Sequence, residues 1–273
     1  SGQGLYKSTD GGNTFTKLTT FGAPGYGSTY GGSGQFYVDP AEANIFSYGP
    51  SHPLFYSTNG GSSGMGRNAA DGMSGSAPYS VYADGSNVYV GSGSGLSVST
   101  NLATSFILRN TGSGLPNNSI YAIFAEGTNL YVGTGNGLAI SNDYGATWTT
   151  KTTSNGLGSN TVLGVRGSGS NVYAVTGGGV SISSDYGSTW TNKNTSHGLA
   201  AAYTDVLTLN GISVYVGSGG HLHVSTNGGT SFVDPMLDSG LGGQQIFGMF
   251  AEGSNLYVAS NGGFSMSTDA GAT

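Results

Sequence analysis

Few side chains in this sequence can do chemistry, and their spacing limits what that chemistry could be. Outside a repeated turn described below, the carboxylates are Asp39, Glu42, Asp71, Asp84, Glu126, Asp205, Asp234, Asp238 and Glu252. Glycoside hydrolysis needs two carboxylates facing each other across a cleft. Asp84, Glu126 and Glu252 recur in one phase of the repeat, in a short polar turn, and read as turn residues. Asp205 differs, because Tyr121, Leu163 and Phe247 stand at the same phase of a strand; it could aim a carboxylate toward a central channel. The three arginines could clasp an anion only by converging. Their phases put Arg67 after a turn, Arg109 in a fourth strand and Arg166 at the end of a first strand, so they read as scattered surface cations. His221 and His223 lie two apart on a strand and share one side, the minimum for a metal, while His52 and His197 lie elsewhere. With no third ligand nearby, the pair reads as solvent-facing, and no metal is assigned. The absence of cysteine rules out a disulfide, a thiolate zinc site and a cysteine nucleophile. Glycine-rich runs such as Thr176-Gly177-Gly178-Gly179 do not lead into helices, so no phosphate loop and no cofactor is expected.

What positions these groups is a repeat. Ser183-Ser184-Asp185-Tyr186-Gly187-Ser188-Thr189-Trp190 has its closest copy at Ser141 to Trp148. The acid or amide falls at Asn59, Asn101, Asp143, Asp185, Asn227 and Asp269, always 42 residues apart, with Asp10 standing 49 before the first. An Asp or Asn oxygen can accept backbone N–H bonds from the residues just ahead, and glycine supplies a backbone angle that other residues resist. The Ser two positions earlier can add a hydroxyl bond, and the closing aromatic, Trp148 or Trp190 in the two best copies, should leave the turn as the first buried residue of the next strand.

From about residue 73 the repeats align without gaps. A Gly-Met/Leu lead-in at Met73, Leu115, Leu157, Leu199 and Leu241 precedes a first strand, and the second strand carries Tyr89, Tyr131, Tyr173, Tyr215 and Tyr257 in phase. A third strand ends at the turn serine, and a fourth opens after it. Four short strands per unit make the blade of a β-propeller, whose faces are covered only by neighbouring blades. At about 25 cal/mol per Å² and roughly 150 Å² per ring, each in-phase aromatic contributes on the order of 3–4 kcal/mol before entropy is counted. The expected fold is all-β, one propeller domain over residues 1–273, with six repeats from residue 19 onward and a terminal strand pair in 1–18. Six first and second strands favour six blades, with Thr14 to Leu18 completing the sheet that ends at Asp269 and Gly4 to Ser8 outside it; a longer parent would make seven.

The motif resembles the Asp-box, or BNR, repeat, Ser-x-Asp-x-Gly-x-Thr-Trp, of sialidases, xyloglucan-hydrolysing glycosidases and sortilin-type domains. Seven phased copies carry that resemblance across the chain. It implies a propeller in which Asp10, Asn59, Asn101, Asp143, Asp185, Asn227 and Asp269 hold structural turns on the side away from the ligand. Val38-Asp39-Pro40 is similar to the opening blades of the xyloglucan and sortilin types. The runs 114–123 and 129–134 resemble the blade motif of two-component-regulator propellers, which implies an extracytoplasmic location. A sialidase would add an arginine triad, a Tyr/Glu nucleophile pair and an Asp acid, which this sequence does not match. A xyloglucan hydrolase would pair two propellers, and one is present.

The remaining expectation is a binding surface. The loops from fourth to first strands, on the face opposite the turns, hold Tyr26, Tyr30, Pro116, Asn117, Asn118, Asn160, His197, Tyr203, Gln244 and Gln245, and Asp205 stands close behind them. Amides and aromatics suit sugar hydroxyls and ring faces, or a protein partner. A lectin with one site per blade would repeat its residues, whereas positions 117–118, 159–160, 201–202 and 243–244 read Asn-Asn, Ser-Asn, Ala-Ala and Gly-Gln. With charged residues at 7%, a net charge of −6 and no basic cluster, nucleic acid and anionic membranes are not expected partners. No apolar run approaches the roughly 18 residues of a membrane span, and the chain reads as a mature form or an excised segment. The expected function is a non-catalytic extracellular or cell-surface module for adhesion or assembly, through its loops and terminal strands. The alternative is a carbohydrate-active propeller, either a glycosidase fragment or a glycan binder. Asn117 and Asn194 fall in N-x-Ser/Thr patterns that would accept a glycan in a secreted protein.

Overall fold

The computed structural model describes residues 6–7, 14, 16–18, 35–38, 44–49, 52–199, 206–218, 220–234 and 245–272. Its smallest unit is the repeated turn, closed each time by the same bonds. Ser183 Oγ donates to Asp185 Oδ1 at 2.7 Å and accepts the Gly187 N–H at 2.8 Å. Asp185 Oδ1 also accepts the Thr189 N–H at 2.9 Å, and its Oδ2 accepts the Thr189 hydroxyl at 2.6 Å. The two residues after the acid are left-handed, with φ of 58° at Tyr186 and 84° at Gly187. Asp143 is held in the same way by Ser141 and Thr147. Where the residue is Asn, one bond reverses: the Nδ2 groups of Asn59, Asn101 and Asn227 donate to the hydroxyls of Ser63, Ser105 and Ser231. A carboxylate can only accept, whereas an amide brings its own donor.

The turns join third to fourth strands within antiparallel meanders whose strands pair with their sequence neighbours. The first contains Gln35–Val38, Ile45–Gly49, His52–Ser57 and Met65–Arg67; the second Pro78–Asp84, Asn87–Ser92, Gly95–Ser99 and Ile107–Arg109. The third contains Ile120–Glu126, Asn129–Thr134, Gly137–Ser141 and Thr149–Lys151; the fourth Val162–Ser168, Asn171–Thr176, Gly179–Ser183 and Thr191–Lys193. The fifth contains Val206–Asn210, Ser213–Ser218 and His221–Ser225; the sixth Ile246–Glu252, Asn255–Ser260 and Gly263–Ser267. Two short strands, Tyr6–Lys7 and Thr16–Lys17, pair with each other. The hairpin expected in residues 1–18 is therefore present. Among the described residues, the partner of Thr16–Lys17 is Tyr6–Lys7.

The chain forms two compact units, residues 1–114 with 118–120, and residues 115–117 with 121–273. In the first, Phe46, Leu54 and Tyr56 pack with Val81, Val88, Val90 and Phe106 as one core. In the second, the in-phase tyrosines do what the sequence implies. Tyr131, Tyr173 and Tyr215 are buried, and the hydroxyls of Tyr131 and Tyr173 donate to the backbone oxygens of Tyr186 and Gly228, both at 3.4 Å. Each tyrosine thus reaches the repeated turn of the following sheet. Burial above all, with Glu126 and Tyr186 adding to it, pushes the Tyr131 hydroxyl up to about 12.

Between fourth and first strands the connections are more ordered than the sequence suggests. Single 3-10 turns form at Ala69–Asp71, Thr111–Ser113, Thr153–Asn155 and Thr195–His197, and each ends at a left-handed glycine, Gly72, Gly114, Gly156 or Gly198. The lead-in residues Met73, Leu115, Leu157 and Leu199 that follow are buried. Gly156, at φ 99°, abuts the Trp190 carbonyl of the next sheet, whose carbon would lie 3.1 Å from an added Cβ.

Two measurements test this construction. Gly156→Ala adds left-handed strain to a collision with backbone and is expected to cost about 3 kcal/mol in urea unfolding. Gly169→Ala, at φ 58° with open space around it, should cost only about 1 kcal/mol. The bonds from Thr147 and Thr189, with those from Ser141 and Ser183, lower Asp143 and Asp185 from 3.8 to about 2. A carboxyl lowered in the folded state stabilises fully above its unfolded value and loses that contribution as it takes up a proton. The melting temperature should therefore fall as pH drops from about 4 toward about 2. The double variant Asp143→Asn, Asp185→Asn should flatten that slope.

Candidate functional site

Four of the seven Lys and Arg share one phase of the repeat. Arg67 and Arg109 end equivalent fourth strands 42 residues apart, and Lys151 and Lys193 continue the same phase. Arg67 Nε donates to Ala103 O at 2.6 Å, and its guanidinium lies 5.4 Å from the centre of the Tyr56 ring. Lys151 Nζ donates to Ser188 O at 3.0 Å. Both thus bind a carbonyl in the repeated turn of the next sheet. Arg109 lies in a fourth strand and Arg166 in a first strand, as their phases imply, whereas Arg67, expected after a turn, ends the fourth strand equivalent to that of Arg109.

Among the described carboxylates, Asp71 pairs with Arg67 at 3.7 Å, Glu126 accepts the Gly169 N–H at 3.4 Å, and Asp234 lies 2.8 Å from His221 Nδ1. Glu126 is the turn residue its phase suggests. His221 and His223 do share one side of their strand, with rings 6.2 Å apart, but His223 is fully buried rather than solvent-facing. It takes the place of Ser181 in the preceding sheet, and Asp234 takes the place of Asn192, which bonds Ser181 at 3.1 Å. Burial chiefly, with His221 adding to it, lowers the His223 imidazole below 6.5 against the opposing pull of Asp234. Among the described residues no three potential ligands gather for a metal.

Of the expected loop residues, Asn118 and Asn160 hold backbone: their Oδ1 atoms accept the Thr111 and Thr153 N–H groups at 2.8 and 2.9 Å. His197 Nδ1 lies 3.2 Å from Asn194 Oδ1, and Asn194 also caps its 3-10 turn through the Ser196 N–H. Asn117 is half-buried and Gln245 exposed. Tyr26, Tyr30, Tyr203, Asp205, Gln244 and Asp10 lie outside the described residues.

A cavity of about 350 Å³ opens elsewhere, on the side of the repeated turns, between the fourth strand of the third sheet and the turn of the fourth. Trp148, Thr149 and Lys151 line it from the strand side, Tyr186 from the facing turn, and Asn129 and Asn142 from the turns beside the strand. Trp148 was expected to be buried like its counterparts. Trp190, Phe106 and Phe232 are buried, but Trp148 is half-exposed. Trp190 Nε1 donates to Gly187 O at 2.9 Å, whereas Trp148 Nε1 has no hydrogen-bond partner. Tyr186 is 53% exposed in a left-handed conformation, at a position where the other described copies carry Gly60, Leu102, Tyr144, Gly228 and Ala270, all at positive φ. A left-handed non-glycine residue costs roughly 1–2 kcal/mol, which glycine would avoid. A strained, exposed aromatic facing a half-exposed indole can stack on a flat ligand and hydrogen-bond around its rim. No carboxylate lines the groove, so it offers no acid–base pair.

No family model matches the chain, and no curated protein matches it. Among solved structures, an extracellular domain from B. thetaiotaomicron, described as part of a hybrid two-component system, superposes with a TM-score of 0.66 at 16% identity, over 85% of this chain and 31% of that one. YCF48 bound to D1 peptide gives 0.64 at 16% identity, over 89% and 81%, and an ancestral GH74 enzyme gives 0.63 at 15%, over 82% and 34%. The chain thus spans about a third of the sensor and GH74 structures. At such identities the likeness speaks to fold alone. Together with the six antiparallel meanders, it makes this chain an all-β protein with a β-propeller fold.

Proposed function

We propose that the chain is a non-catalytic association module acting outside the cytoplasm, a propeller of six Asp-box blades over residues 1–273 that joins a partner through the open face of its last blade. The observation that carries this is an aromatic ladder. Phe250, Tyr257 and Phe264 stack across the three strands of the sixth sheet with centres 6.3 and 6.1 Å apart. Phe250 is 58% exposed, Phe264 71% and Met266 58%. The equivalent tyrosines of the third, fourth and fifth sheets are buried, each meeting the turn of the following sheet: Gly187 against Tyr131, Gly229 against Tyr173, Gly271 against Tyr215. The open face is therefore shaped for one more turn of the same kind, and a second copy of the chain carries such turns. Exposed contiguous aromatic surface of this sort favours association in water. The peptide bound by YCF48 and the extracellular setting of the sensor domain support protein binding and location.

Sedimentation of the purified chain should show reversible self-association. Phe250→Thr with Phe264→Thr should weaken it by at least about tenfold, with the melting temperature unchanged because both rings are exposed. A monomer at every concentration would refute association through this face. Release of sugar from xyloglucan or sialosides by the purified chain would refute the non-catalytic assignment.

A further inference from the structure

We propose that the groove between Trp148 and Tyr186 is a binding site for an acidic saccharide, one or two rings long and carrying a uronate. This does not rest on the association reading, since the groove and the aromatic ladder lie in different sheets.

The size comes first. A volume of about 350 Å³ lies at the small end of ligand cavities, which run from about 300 to 1,000 Å³. It accommodates a short saccharide rather than a folded partner. The walls come next. One indole face flanked by an exposed phenol is the surface on which the apolar face of a pyranose stacks. Around it stand the amides of Asn129 and Asn142 and the hydroxyl of Thr149, groups that can both donate and accept, as sugar hydroxyls require. An apolar peptide anchor would leave these polar groups unmatched. The charge comes last. Lys151 is the one cation on the lining, and no carboxylate lines the groove with it. Its bond to Ser188 O uses one of three N–H donors, leaving two for an anion.

The site belongs to one interval of the repeat. The equivalent position one repeat on has Gly228 in place of Tyr186, and its indole, Trp190, is buried with its N–H already bound. Tyr144, one repeat earlier, is left-handed at the same φ of 58° and also exposed, but the ring that precedes it at the phase of Trp148 is the buried Phe106; what singles out the Tyr186 interval is the half-exposed indole with its unbound N–H.

The repeat also supplies safe variants. Phe stands at the phase of Trp148 in three other copies, Phe15, Phe106 and Phe232, and Gly11, Gly60 and Gly228 stand at the phase of Tyr186, so Trp148→Phe and Tyr186→Gly are expected to fold. Digalacturonate and trigalacturonate, with cellobiose and cellotriose as neutral counterparts, can be titrated by calorimetry and by saturation-transfer NMR. The expected result is binding of the acidic pair, weakened about tenfold by Trp148→Phe and by Tyr186→Gly. Lys151→Met should weaken the acidic sugars about fivefold and leave any neutral binding untouched. Three results would overturn the proposal: no binding of either series, binding that all three variants leave unchanged, or equal affinity for acidic and neutral sugars.

Discussion

The structure depends on the joint at which one sheet's turn settles onto the preceding sheet. Two consecutive left-handed residues carry the chain back so sharply that the second, usually glycine, lies against the in-phase tyrosine and its cross-strand neighbour: Gly229 meets Tyr173 and Ile182. A side chain larger than the methyl of Ala103, the buried residue at this place in the second sheet, would hold the sheets apart. The serine hydroxyl two residues before the acid fixes the geometry by serving as donor and acceptor at once, bonding the acid or amide and the glycine N–H. Packing between sheets therefore rests on a local turn, and the turn in turn fixes where the next strand begins.

Polar groups reinforce that joint. In a chain with only seven Lys and Arg, four occupy one phase, and both Arg67 and Lys151 bind carbonyls of the following turn. A hydrogen bond from a charged donor to a carbonyl is stronger than a neutral one, though solvent weakens the exposed ones. For Arg67 and Lys151, then, positive charge serves the geometry of the joint between neighbouring sheets.

Function is best sought where one copy departs from the others. Most columns tolerate only a narrow choice because each side chain faces a neighbouring sheet. The exceptions are Trp148, half-exposed with an unbound N–H, and His223 with Asp234 where the preceding sheet has Ser181 and Asn192. Each breaks a local rule with no gain in packing, which is where binding residues are expected. The first lies on the groove, on the rim that sequence reasoning assigned to structure alone.

The amino-acid sequence determined the unit: strand breaks, the turn and its glycine, the tyrosine column, the buried Met and Leu lead-ins and the hairpin in residues 1–18 all follow from local chemistry repeated every 42 residues. Within one repeat, hydrogen-bonding capacity and backbone angle suffice to decide shape. Only the tertiary structure decided what lies between repeats. That His223 is buried, that Arg67 reaches Ala103, 36 residues on, and that Tyr131 reaches Tyr186, 55 residues on, depends on which surface the neighbouring sheet presents. Trp148 and Trp190 are identical in sequence phase yet differ in burial and in whether the indole N–H finds a partner. A side chain's exposure is set by the partner across the gap, and no local pattern encodes that partner.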